Sequence, residues 1–75
     1  MATLSDLTAR EEEVLRLVLA GRTNKSIAAT ICISEKTVEF HLSHIYNKVG
    51  VRSRMQAGVW AIQQGIAIRT REFPS

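Results

Sequence analysis

The chain contains one cysteine, one proline and aromatic residues at only 5% of its 75 positions. A lone Cys32 excludes an internal disulfide framework, which fits a reducing compartment, and the expected location is cytoplasmic. No apolar run approaches the roughly 20 residues that a membrane span needs, so no membrane partner is assigned. The N-terminus lacks the basic-then-apolar order of an export signal. Glycine-rich phosphate loops and catalytic motifs of the GxSxG or HExxH kind are absent, as are internal repeats and low-complexity tracts. His41 and His44 stand three apart on one helical turn, but no third ligand lies at a useful spacing, so no metal site is assigned. Cys32, between two isoleucines, reads as a small buried hydrophobe rather than a nucleophile. The run Glu11-Glu12-Glu13 cannot converge on one metal or substrate, because successive helical side chains point about 100° apart. No catalytic residue and no cofactor is assigned.

What remains is a small, basic, globular chain. At 45% hydrophobic residues it has material for a core. A chain of this size buries only about 60% of its unfolded surface, so a partner subunit would help its stability. The formal net charge is +3, and its distribution says more than its size. Residues 1–20 hold four carboxylates (Asp6, Glu11, Glu12, Glu13) against two cations, Arg10 and Arg16. Residues 21–54 reverse the balance, with Arg22, Lys25, Lys36, Lys48, Arg52 and Arg54 against Glu35 and Glu39. One basic segment in a small domain is the electrostatic footprint of a polyanion binder.

Periodicity and capping signals predict an all-α fold of four helices. Residues 1–6 show no periodicity and read as a flexible leader. Leu7 precedes a capping box, Thr8 with Glu11, and the neighbouring carboxylates suit the positive end of the helix dipole. The first helix carries Val14, Leu15, Leu17, Val18 and Leu19 inward and ends at Gly21. A second, short helix runs from about Asn24 to Thr30 behind the cap Thr23, with Ile27, Ala28 and Ile31 inward. Residues 31–33 form a turn, and Ser34 caps a third helix that Gly50 ends. Val38, Leu42, Ile45, Tyr46 and Val49 make its apolar stripe. The opposite side carries Lys36, Phe40, Ser43, His44 and Asn47. Two helices joined by a short turn, the second buried on one face only, describe a helix-turn-helix. The last helix, from near Ser53 to Gly65, has two apolar faces. Ala57, Trp60 and Ala61 suit the core, while Met55, Val59 and Ile62 are left for a second subunit. Residues 66–75, with Arg69, Arg71 and Pro74, read as a tail.

The order LTAREEEVLRLVLAGRTNKSIAATICISEKTVEFHLSHIYNKVGVRSRMQA resembles the LuxR-type (GerE/NarL/FixJ-like) helix-turn-helix family of bacterial transcription regulators. The likeness covers Leu7 to about Gly65, giving a domain over 7–65. It rests on Leu-Thr-x-Arg-Glu, Asn-Lys-x-Ile-Ala, Ile-Ser-x-Lys-Thr-Val, His-Leu-x-x-Ile-Tyr-x-Lys and Gly-Val-x-Ser-Arg in combination. The resemblance implies a sequence-specific, double-stranded-DNA-binding domain, as in response regulator output domains or small stand-alone members. Its third helix (about 35–49) would enter the major groove and its fourth (about 54–64) would form a homodimer that reads an inverted repeat. Base-edge contacts fall to Lys36, Glu39, Phe40, Ser43 and Asn47. Backbone contacts fall to Thr23, Asn24, Ser34, Thr37, His41, Lys48, Arg52, Ser53 and Arg54. Glu39 departs from the family pattern, where many members have lysine or arginine; it would accept from cytosine N4 or pair with Lys36. The competing reading is a helix-turn-helix that has kept only a protein-docking role.

Overall fold

In the computed structural model, which describes residues 2–66, four α-helices succeed a short 3-10 turn. They are α1 (Ala9–Leu19), α2 (Asn24–Ile31), α3 (Glu35–Val49) and α4 (Arg54–Gln63), with no strand among the described residues. Each helix starts where a hydroxyl replaces the backbone partners that its first amides lack. Thr8, Thr23, Ser34 and Ser53 accept from the amides of Glu11, Ser26, Thr37 and Gln56, all between 3.0 and 3.1 Å. Thr8 and Glu11 complete the capping box, since the Glu11 carboxylate accepts the Thr8 amide at 3.0 Å.

All four helices end the same way. A residue in the left-handed region reverses the chain, and the next amide bonds back to a carbonyl five residues earlier: Arg22 to Leu17, Ile33 to Ala28, Val51 to Tyr46 and Ile66 to Ala61. That is the Schellman arrangement. Glycine supplies the reversal at Gly21, Gly50 and Gly65, at φ of 82°, 76° and 88°. Between α2 and α3 the residue is Cys32, at φ 61°. Its side chain therefore swings outward and is exposed, against the expected buried position. A left-handed residue cannot continue the helical face that would have turned it inward.

The core is one cluster. Val14, Leu15 and Val18 of α1 meet Ile27 and Ala28 of α2, Val38, Leu42 and Ile45 of α3, and Ala57 and Ala61 of α4. Leu7 and Ile66 close it at the two ends. Small residues bring α4 close to α1: a Cβ added at Gly58 would lie 3.4 Å from the Leu19 side chain. Residues expected to form a loose leader are instead ordered in part. The 3-10 turn Leu4–Asp6 is held by the Thr3 amide on the Asp6 carboxylate at 2.8 Å, and Leu4 packs against the core. Of the expected tail over 66–75, Ile66 is instead buried in the core, and the remainder, with Arg69, Arg71 and Pro74, lies outside the described residues.

Candidate nucleic-acid interface

The stripe Val38, Leu42 and Ile45 is fully or almost fully buried, so the other side of α3 faces solvent. Lys36, Glu39, Ser43 and Asn47 are exposed there, and Phe40 keeps 60% of its surface in water. Helical spacing aligns Lys36, Phe40, Ser43 and Asn47 along one line, with Glu39 on its edge. Thr37 and His41 are half-buried on the opposite edge. Among the described residues the Phe40 ring has one aromatic neighbour, His44, with centroids 4.3 Å apart and planes tilted by 46°.

Hydroxyls frame this line. Thr23, Ser34 and Ser53 use their oxygens as caps, and a hydroxyl that accepts retains a proton to donate. Ser34 and Thr37 also share a hydrogen bond at 2.9 Å. Of the basic residues in segment 21–54, only Lys48 enters an ion pair among the described residues. Arg22, Lys25, Lys36, Arg52 and Arg54 have no carboxylate partner among the described residues. By contrast, Arg10 and Arg16 on α1 are paired with Glu13 and Glu12. The basic character therefore belongs to the helix-turn-helix face and the loop into α4.

Three expected backbone contacts, Lys48, Arg54 and Asn24, have internal roles that the sequence did not disclose. Lys48 Nζ lies 2.7 Å from Glu11 Oε1, and the Glu11 side chain is only 4% exposed. This ammonium neutralises a buried carboxylate, so Lys48 ties α3 to α1. Burial by itself would raise the Glu11 pKa. The Lys48 hydrogen bond, the Thr8 amide and the charges of Lys48 and His44 outweigh it and hold the carboxyl below the usual glutamate range. Arg54 likewise reaches inward. Its guanidinium donates to Asn24 Oδ1 at 2.8 Å and to the Arg22 carbonyl at 2.6 Å, tying the start of α4 to the start of α2. Asn24 and Arg54, both expected at the DNA backbone, are thus brought together. The partners are 37 and 30 residues apart, where no local periodicity could reveal them.

His44, expected on the exposed side of α3, also has a neighbour on α1. Its Nδ1 stands 3.9 Å from Glu11 Oε2, so the imidazole sits between the buried carboxylate and the exposed phenyl ring. No group of three or more metal-ligating side chains occurs among the described residues, and no described helix is long and apolar enough to cross a membrane. On α4, Met55, Val59 and Ile62 are 80%, 50% and 56% exposed. Beside them a shallow apolar depression is lined by Val51, Met55, Val59 and Trp60.

Four helices, a three-residue turn before α3 and a surplus of cations on the segment that holds α2 and α3 define a class. The chain belongs to the family of bacterial regulatory proteins known as the luxR family, whose model matches residues 5–61. It is a LuxR-type helix-turn-helix DNA-binding domain of transcription regulators and not an enzyme. Among individual proteins it is similar to the spore germination protein GerE of Bacillus subtilis (strain 168), with 46% identity over 59 residues, 79% of this chain and 80% of GerE. It is 40% identical over 63 residues to the nitrate/nitrite response regulator protein NarL of Escherichia coli (strain K12). That match takes in 84% of this chain and 29% of NarL, so the chain spans less than a third of that relative's length. Solved structures agree. The transcription factor GerE superposes with a TM-score of 0.75 at 39% identity over 79% of this chain and 88% of its own. The response regulator ChrA of a heme-sensing two-component system gives 0.75 at 48% identity, over 77% of this chain and 29% of its own.

Proposed function

We propose that α3 lies in the major groove of double-stranded DNA and reads base edges with Lys36, Phe40, Ser43 and Asn47. Glu39 at the edge of that line accepts from cytosine N4. The observation that carries this reading is the aligned, exposed row on α3, in a basic segment where Lys48 is the one lysine or arginine in an ion pair among the described residues. Lys36 donates to guanine O6 or N7, and Phe40 lies on a thymine methyl. The hydroxyls of Thr23, Ser34, Thr37 and Ser53, with His41, Arg52 and the Asn24–Arg54 pair, take phosphates and set the register. Binding to the genome puts the domain in the cytoplasm.

Met55, Val59 and Ile62 pair α4 with the same face of a second subunit, and a two-fold axis then demands an inverted repeat. Support comes from their exposure beside the apolar depression on a helix whose other face is already buried. A domain this small gains stability from covering such a face.

Fluorescence anisotropy of the purified chain on duplexes, across several salt concentrations, tests the reading. About four neutralised phosphates per domain give a log–log slope near −3.6, and a dimer about twice that. Weak binding that ignores salt would return the fold to a protein-docking role.

A further inference from the structure

Phe40 has an unusual problem for a base-reading side chain. With 60% of its surface exposed it has no core to hold it, and a free phenyl ring must be immobilised when it meets a base. Among the described residues the aromatic group against it is His44, one helical turn on, at 4.3 Å. Side chains at i and i+4 lie one above the other on a helix, so the imidazole forms a wall beside the phenyl ring. That wall has its own backing. His44 Nδ1 lies 3.9 Å from Glu11 Oε2, and the Glu11 carboxylate is fixed by the Thr8 amide at 3.0 Å and by Lys48 Nζ at 2.7 Å. The series runs from the rigid start of α1, through a buried carboxylate and an imidazole, to the most exposed ring on α3.

We propose that His44 is a positioning residue for sequence readout: braced by Glu11 and Lys48, it holds Phe40 in the orientation that meets the base. The inference rests on the reading that Phe40 faces the major groove. It adds that specificity at the Phe40 position depends on a side chain that touches no base. Loss of the wall leaves the phenyl ring present but free among rotamers, and the restored freedom is lost again on binding.

The test uses a pool of duplexes with a randomised centre, selected by the whole chain and three variants. Base preference at each position is scored beside affinity for a random duplex. Phe40→Ala should erase the preference at one base position. His44→Ala should weaken the preference at that same position by about threefold, leaving random-duplex affinity and the salt slope as they were. His44→Phe, which keeps a ring face, should restore it. A readout without DNA accompanies these: the Phe40 χ1 couplings should move toward rotamer averaging in His44→Ala and return in His44→Phe. If Phe40→Ala leaves every base preference intact, the groove reading of Phe40 has failed. If Phe40→Ala acts and His44→Ala does not, the groove reading stands and the positioning role is overturned. Equal weakening on all DNA by His44→Ala would make the imidazole a phosphate contact and equally overturn the proposal.

Discussion

A carboxylate that is 4% exposed stays charged only while its partners hold it, and Glu11 depends on Lys48 in this way. Replacing Lys48 by methionine leaves that carboxylate buried without its cation. The expected loss is about 2 kcal/mol, seen as a melting temperature lower by about 10 °C for a domain of this size. The same residue sets an acid limit. Because the folded-state pKa of Glu11 is depressed, its stabilising contribution is complete above the unfolded value of about 4.3. It is lost as pH falls through the folded value, since the unfolded chain then binds the proton more readily. Denaturant midpoints recorded downward from about pH 6 should fall below about pH 5 in the parent and less steeply in Glu11→Gln. Cys32 is the opposite case, a residue under mild strain. The left-handed conformation at φ 61° disfavours any Cβ, so Cys32→Gly should stabilise the domain by about 0.5–1 kcal/mol in chemical denaturation. An unchanged midpoint would mean that the entropy of the glycine cancels the relief.

Between elements, the fold depends on two polar ties as well as on its core: Lys48 to Glu11 joins α3 to α1, and Arg54 to Asn24 joins α4 to α2. Arg54→Ala should therefore do more than remove a phosphate contact. It should loosen the loop ahead of α4 at about 1–1.5 kcal/mol of stability and weaken binding to every duplex alike. Arg52, whose guanidinium enters no ion pair among the described residues, separates the two effects: Arg52→Ala should weaken DNA binding with the melting temperature nearly unchanged. Much of the element structure was legible in the sequence. Four hydroxyl caps and three glycine reversals are local signals, and Val38, Leu42 and Ile45 repeat with the helix period. What stayed hidden was tertiary. Nothing near Lys48 announces Glu11, and nothing in Leu4-Ser5-Asp6 announces a turn, because three residues are too few for any period. The exposed row on α3 was legible for the same reason as its buried stripe: each is the other's complement. The brace behind Phe40 was not, since it crosses to another helix.

For the molecule as a whole, charge and apolar surface divide between two regions. Among the described residues, cations without carboxylate partners lie on the helix-turn-helix segment and the loop before α4, while α1 neutralises its arginines internally. Met55, Val59 and Ile62 are exposed on α4, away from the row on α3 proposed to face the groove. Val59→Lys should thus halve the salt slope, from about −7 to about −3.6, while leaving the monomer folded. Sedimentation of the same variant should give a single-domain mass on DNA as well as off it. A slope that keeps its full value would place the second subunit's contact elsewhere.

The repeated helix ending has a consequence for how the chain breathes. The amides of Arg22, Ile33, Val51 and Ile66 stand outside their helices, yet each is bonded back to a carbonyl at 3.0–3.1 Å. In deuterated water such joints would trade their protons on the schedule of the helices they close, not on that of open loops. The angle between α2 and α3 would then open only when a helix end unwinds. The reading head, once folded, would move against its support as one piece.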